Sequence, residues 1–382
     1  SERERYRIST TYYHAVTGEL EKAIEEYELW SKSYPRDDKP PLDLGVVYQQ
    51  LGQYDKAVVE TEKSLRLAPT ATGYGNISFE YIALDRLDDA EKVLREAQTK
   101  GFEGLYIRGN LYLLAFRRGD SKGMEQQLAW SAGRAGDEDA MLSGQADTEA
   151  YYGRLARAQD YSRRAVESAL RAGSNETAAL WRAAAGLREA EFGNTVAARQ
   201  NADAALSLQS GRDVKLLTAL TLARAGDTAK AERLVEQLET TATTDTLLKR
   251  YCLPTIHGAI EISKNNPSQG IRDLEAAVPY ELGGTLAFPY LYPVWVRGQA
   301  YMAAHNGVAA AAEFQKLIDH PGIVINQPIG SLAHLELGRA YALSGDNVKA
   351  RASYQNFLTL WKDADPDIPI LTAAKSEYAK LQ

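Results

Sequence analysis

At 382 residues the chain is long enough for two ordinary domains or one extended array, and no apolar run approaches the ~18 residues of a membrane span. Its composition, 45% hydrophobic and 25% charged, is that of a folded protein. With 44 Lys and Arg against 51 Asp and Glu, the net charge of -7 argues against the basic footprint usual in nucleic-acid binders.

At the amino end, Ser1 and Glu4 have capping-box spacing and start a helix. The phrase GELEKA then places Ala23 in a Gly-x-hydrophobic-x-x-Ala turn. Residues 44–69, LGVVYQQLGQYDKAVVETEKSLRLAP, read as two amphipathic helices joined by a glycine turn. Gly45 and Ala57 stand there where larger apolar residues would bury more surface, so the two backbones are expected to approach closely, toward the short end of the ~8–10 Å interaxial range. Tyr48, Tyr54 and Leu65 are expected to fill the space between units.

The turn recurs at Ala90 (DRLDDA), Met124 (GDSKGM), Ala158 (GRLARA), Ala198 (GNTVAA), Ala231 (GDTAKA), Gly270, Ala310 and Ala350 (GDNVKA). From Ala23 onward the anchors lie 34, 33, 34, 34, 40, 33, 39, 40 and 40 residues apart. Ten units of that period predict a solenoid of helix pairs. Asp227, Asn266 and Asp346 precede second helices and are expected to cap them, Pro267 to take a first helical position, and Pro35 and Pro69 to end second helices. From the fifth unit on, extra residues sit mainly between units, in LETTATTDT, PYELGGTLAFPYLYP and DHPGIVINQPIG. Loops of that length are often functional, and a longer connection or a lengthened helix is the alternative.

Behind Pro366 and Pro369, Ile370, Leu371, Ala374, Tyr378 and Leu381 recur at helical spacing, with Lys375, Glu377 and Lys380 on the other side. This suits a helix that covers the last exposed core of a solenoid. No comparable segment precedes the first unit, and the chain begins with Ser1 and not Met, so the array is expected to have continued upstream.

The period and the residues at fixed offsets resemble the tetratricopeptide repeat (TPR) family. The second unit carries the family pattern at Leu44, Gly45, Tyr48, Gly52, Tyr54, Ala57 and Pro69, and the tenth at Leu337, Gly338, Tyr341, Gly345, Ala350 and Tyr354. The ninth matches at Gly298, Tyr301, Ala310 and Phe314 and the first at Gly18, Ala23, Tyr27 and Pro35, while the middle units keep the register alone. Phrases such as SERERYRISTTYYHAVTGELEKAIEEYELWSKSYPRD further resemble the C-terminal TPR regions of bacterial, acidobacterial-type signalling proteins that carry a serine/threonine kinase or a winged-helix domain. The resemblance implies attachment to such a module. No Gly-rich kinase loop, HRD or DFG motif occurs in these residues.

Catalytic and metal-binding patterns do not emerge. His14, His257, His305, His320 and His334 fall in different units and read as surface or packing residues. Cys252 reads as a small buried hydrophobe near a helix start, and GDEDA (136–140) lacks the length of a calcium loop. The chain is therefore expected to be no enzyme and to need no cofactor or metal.

The family resemblance implies that first helices line a concave groove. Carried over, its ligand-facing positions are Asn76 and Asn110 at one offset, with Val46, Gln49, Phe79, Leu113, Phe116 and Arg117 beside them. An asparagine can both donate to and accept from a peptide backbone. The alternative is that both asparagines bond to neighbouring helices. The family's two-carboxylate clamp needs Lys and Arg where Leu42, Val46, Tyr106 and Asn110 stand, so an acidic chaperone tail is not the expected partner. A rival site is LAFPYLYPVW (286–295), where Phe288, Tyr290, Tyr292 and Trp295 cluster with two prolines.

The expectation is an all-α superhelix of about ten helix-turn-helix repeats over residues 1–366 with a capping helix in 367–382. It would act as a protein-interaction scaffold, cytoplasmic unless an upstream membrane segment places it outside, binding a protein or peptide partner without contacting nucleic acid or inserting into a membrane. Self-association for an attached kinase or DNA-binding domain, and small-ligand sensing, are the other readings.

Overall fold

The computed structural model describes residues 1–241, 243–285 and 287–381. Ala242 of LETTATTDT, Leu286 of LAFPYLYPVW and Gln382 of the terminal segment lie outside the described residues. The architecture is all-α, and the helices run in ten consecutive antiparallel pairs followed by one more helix.

The pairs are α1 (Glu2–Thr11, continued by a wider turn over Tyr12–Thr17) with α2 (Leu20–Ser33), α3 (Lys39–Gln50) with α4 (Tyr54–Leu67), and α5 (Ala71–Ala83) with α6 (Leu87–Thr99). Next come α7 (Leu105–Arg117) with α8 (Ser121–Ser131), α9 (Asp137–Tyr151) with α10 (Leu155–Arg171), α11 (Asn175–Glu191) with α12 (Thr195–Leu208), and α13 (Arg212–Arg224) with α14 (Thr228–Thr241). The last three are α15 (Leu253–Ser263) with α16 (Pro267–Leu274), α17 (Tyr292–Ala303) with α18 (Gly307–Asp319), and, after the single turn α19 (Pro321–Val324), α20 (Pro328–Leu343) with α21 (Asn347–Leu360). Helix α22 (Pro369–Ala379) follows. No described helix is long and apolar enough to cross a membrane.

One backbone feature fixes the register of all ten hairpins. The residue five before each anchor has a positive φ, and in seven units it is glycine, as at Gly52 (φ 74). In the third, eighth and ninth units Asp85 (φ 56), Asn265 (φ 59) and His305 (φ 56) stand there instead. These side-chain types tolerate the left-handed region better than most, so the turn survives without glycine. In nine units the anchor beyond it is buried, and in the fourth Met124 is partly buried. A Cβ on Gly45 would lie 3.3 Å from the Ala57 carbonyl oxygen and against Thr61, and Ala57 itself is fully buried. Small residues at both positions let the helices close.

The two helices of a pair have different burial. Helix α6 buries a stripe, Ala90, Leu94 and Ala97, and keeps Asp88 and Asp89 at its positive amino end. Helix α13 buries Val214 and the whole run from Leu216 to Ala223. Second helices form the outer layer, and first helices are packed on several sides. Among the expected caps, Asp346 accepts from the Lys349 amide (3.1 Å) and Asp227 from that of Lys230 (3.3 Å). Asn266 does not cap: its amide donates to Glu261 (2.7 Å), leaving Pro267 alone to start α16.

The long inter-unit segments join successive turns of the superhelix. The turn of pair one accepts from the loop entering pair eight, where the Thr246 amide donates to the Gly18 carbonyl (2.9 Å) and Thr244 to that of Thr17 (3.1 Å). Seven pairs separate pair two from pair nine as well: Gly284 N–H donates to Gln50 (3.0 Å), and Tyr54 donates to the Leu282 carbonyl (3.0 Å) across 228 residues. Gly322, entering pair ten, lies against the Ile82 and Ala83 carbonyls of pair three. Near the carboxyl end Trp361 donates to the Tyr151 carbonyl (3.0 Å) and Asp365 N–H to that of Gly153 (3.0 Å). The longer spacing between pairs five and six has another origin, since α10 and α11 are simply longer, 17 residues each.

A chamber inside the superhelix as candidate functional site

Closure of one turn upon the next leaves a cavity of about 740 Å3 along the superhelix axis. Its wall is built from first helices: Phe79 of α5, Leu113 of α7, Ser143 and Asp147 of α9, Trp181, Ala184 and Arg188 of α11, and Leu216 and Leu217 of α13. The remaining side is supplied by the segment entering pair nine, with Phe288, Pro289, Tyr290 and Tyr292, and by Asn326 and Gln327 before α20. The size lies within the ~300–1,000 Å3 of cavities that enclose a small ligand, and the mixture of apolar rings with a few polar groups is typical of them.

The polar groups are not scattered. Arg188 donates from Nη1 to Asp147 Oδ1 (2.7 Å) and from Nη2 to Ser162 Oγ (2.9 Å). Asp147 lies deep in the molecule but opens onto the chamber, and loss of water pushes its carboxyl above the usual aspartate range in spite of Arg188. Asn326 donates to the Gly144 carbonyl (2.8 Å) and to Thr148 (3.0 Å), which holds the loop before α20 against α9. Deeper in the wall Arg224 forms a two-point pair with Glu191 (2.8 and 2.9 Å), and Trp295 donates to the same carboxylate (2.9 Å). At the other end Arg212 is paired with Asp245 (2.5 Å), while Asp213 has no hydrogen-bond partner among the described residues. Near the amino-terminal side His14 bonds the Tyr27 hydroxyl (3.3 Å) and Gln50 (3.1 Å), and burial lowers its pKa, keeping the ring neutral near pH 7.

The residues singled out from sequence fall in three groups. Phe79 and Tyr290, taken from rival surfaces, face each other with ring centroids 6.1 Å apart, so groove and insertion form one wall. Burial pushes the pKa of the Tyr290 hydroxyl up to about 12. Phe288 is 1% exposed and packs edge-on against Tyr251 (5.9 Å), so the insertion is anchored by its own aromatic residue. The second group is absorbed by packing. Asn110 donates to the Gly75 carbonyl (2.7 Å) and to Ser78 (2.8 Å), Phe116 sits against Tyr151 (5.2 Å), and Arg117 pairs with Asp85 (2.6 Å). Asn76 stands apart, its amide nitrogen buried with no hydrogen-bond partner among the described residues.

Sequence reading missed Ser143, Asp147 and Arg188. They lie in the units that keep the repeat register without its pattern residues, and four-residue spacing on one helix is too common to single out a pair. Cys252 is 1% exposed at the amino end of α15, in keeping with a small buried hydrophobe.

Residues 42–70 match the family model described as tetratricopeptide repeat. No curated protein matches the chain. Among solved structures, the human IFIT1 dimer with m7Gppp-AAAA is 15% identical over 98% of this chain and 90% of that chain, with a TM-score of 0.51. Yeast Tom70 is 13% identical, over 100% of this chain and 95% of that chain, with a TM-score of 0.36. A tetratricopeptide repeat protein from Parabacteroides merdae is 14% identical, over 88% and 98%, with a TM-score of 0.28. At such identities the likeness concerns the fold. Residues 42–70, which span most of the second helical pair, are thus similar to a tetratricopeptide repeat, and the chain as a whole has an α-solenoid fold.

Proposed function

We propose that this chain is a non-catalytic interaction scaffold that takes a short segment of a protein partner into the chamber inside its superhelix. The carrying observation is the Phe79–Tyr290 contact, which makes the concave face and the inter-unit insertion one enclosing surface around a cavity of about 740 Å3. An open TPR groove suits a long extended peptide. Here the chain's own insertions cross that groove, so a compact segment with apolar side chains fits better. The human IFIT1 structure contains m7Gppp-AAAA, but the two arginines of this chamber are each paired with an aspartate, and Asp213 adds a further carboxylate. That charge balance disfavours a phosphate chain. Membership of a larger bacterial signalling protein, with self-association as its alternative, rests on the sequence resemblance alone.

The test is selection of peptides from a displayed random library on the folded chain, followed by measurement on Ala184→Trp, which puts a large ring into the chamber. Selected peptides should lose at least tenfold in affinity for this narrowed variant while its melting temperature stays close to that of the parent. Equal binding to both would place the partner site elsewhere on the superhelix.

A further inference from the structure

One wall of the chamber presents several polar groups with unused acceptor capacity. Ser143 and Asp147 lie one helical turn apart on α9, hence on the same face. Asp147 uses one oxygen for Arg188, and its second has no hydrogen-bond partner among the described residues. Ser143 and Tyr292 are each 4% exposed, line the chamber, and have hydroxyls without a partner among the described residues. Tyr292 lines the same chamber at the start of α17, and burial together with the Glu191 carboxylate holds its hydroxyl well above the usual tyrosine range. Each terminal nitrogen of Arg188 makes one hydrogen bond, to Asp147 and to Ser162, and its Nε is buried. A carboxylate oxygen accepts only, and each hydroxyl can accept as well as donate. Such a wall is completed by a group with several N–H donors and a positive charge. The rings of Phe79, Trp181 and Tyr290 line the same chamber.

We infer that the chamber recognises the free amino terminus of a peptide with apolar or aromatic leading residues, its ammonium held by Asp147, Ser143 and Tyr292. An ammonium presents three donors in a compact head, matching the three acceptors. Loss of water makes the Asp147 carboxylate costly unless it gains a second charged or donating neighbour beside Arg188. A simple monoamine has the same head but leaves most of the cavity empty, whereas a short peptide carries apolar side chains to the aromatic wall. This inference rests on the chamber being the partner site.

The experiment uses the full chain and one tetrapeptide amide, Phe-Leu-Leu-Ala, with a free or an acetylated amino terminus, alongside 2-phenylethylamine. Calorimetric titration should show the free form binding at least about tenfold tighter than the acetylated one, the ratio expected for a charge-assisted hydrogen bond. The advantage should fade above about pH 8, where an α-amino group loses its proton. Asp147→Asn should erase the advantage, and Tyr292→Phe and Ser143→Ala should each reduce it severalfold without unfolding the chain. Equal or tighter binding of the acetylated form overturns the inference, as does an advantage that persists in Asp147→Asn, or the absence of measurable binding by either peptide. Binding of 2-phenylethylamine as tight as that of the free peptide overturns the peptide identity and leaves a small amine as the ligand. Peptides selected on the chain that respond to Ala184→Trp but not to acetylation would sink this inference while leaving the chamber as the partner site.

Discussion

The second and fourth helical pairs start from the same turn and meet opposite surroundings. Gly52 and Gly119 both have positive φ, 74 and 68, five residues before their anchors. A Cβ on Gly52 would come within 2.6 Å of the Gly283 nitrogen, whereas one on Gly119 would meet nothing within 4 Å. The first turn is pressed against the loop that enters pair nine, and the second faces open space. A repeat position therefore carries two separable demands, one from its own hairpin and one from the superhelical turn stacked upon it. The early pairs supply bare turns, and the late pairs supply the long loops that meet them.

Removal of residues 367–382 is the severest test of the late half. It uncovers the surface now covered by Leu371 (3% exposed) and Ala374, and removes Glu377, which accepts from Arg339 (2.9 Å twice) and Tyr354 (2.8 Å). At ~25 cal/mol per Å2 of apolar surface the loss is worth several kcal/mol, so the truncated chain should aggregate or melt much earlier. A monomer with unchanged melting temperature would make the segment a tail.

Next in size is Trp361→Ala. Trp361 stacks with Phe192 (5.5 Å) and lies against Phe357 (4.6 Å) while donating to Tyr151, so it ties pair ten to pairs five and six. The expected cost is roughly 3–5 kcal/mol. Trp30→Ala removes a side chain as well buried (3% exposed), but one whose rings, Tyr6 and Tyr27, lie in its own pair. Hydrogen exchange should speed up in α9 and α11 for the first variant and stay unchanged there for the second. Equal effects on those helices would remove the distinction between contacts within a turn and contacts between turns.

The two glycines give a smaller and cleaner contrast. Gly119→Ala should cost about 1 kcal/mol, the strain of a Cβ in the left-handed region. Gly52→Ala should cost roughly twice that, because the loop at Gly283 must also move. Equal losses in chemical denaturation would mean that the stacked loop adds no constraint.

A last contrast depends on pH and belongs to the early half. Glu80 of α5 is fully buried, accepts from Thr61 (2.8 Å), and leaves its second oxygen buried without a partner among the described residues. Burial raises its pKa to about 8. The folded chain therefore binds more protons than the unfolded one between the ordinary glutamate value, about 4.3, and about pH 8, and stability contributed by this group falls as pH rises through that interval. Glu80→Gln should remove this decline and raise the melting temperature by a few degrees at pH 8 with little change at pH 4. A parent whose melting temperature is level from pH 5 to 8 would contradict it.

Much of this was legible in the chain itself. The anchors at 34- to 40-residue spacing located every hairpin, because a positive φ and a small buried residue are requirements of one pair and its neighbour. Asp346 could be read as a cap from its place before α21, since capping is settled within three residues. Asn266 has the same placement, yet its amide donates to Glu261 and its oxygen caps no backbone N–H, a side-chain orientation that spacing does not decide. Asn110 was legible as a polar residue on a first helix. That Gly75 and Ser78 would use up its amide depended on how closely α5 and α7 approach.

The chamber was not legible in this way. Phe79 and Tyr290 lie more than two hundred residues apart and looked like rivals, and Ser143, Asp147 and Arg188 belong to no pattern. Sequence determined the repeat, its period and the pairing of helices, because those follow from contacts within about forty residues. Only the tertiary structure decided that pair one meets pair eight, that the long loops bridge turns, and that a cavity remains between them. Each pair adds a small rotation to the last, and the sum over seven pairs sets the pitch. No single position encodes that sum, so the groups it brings together can be recognised only once the superhelix has closed.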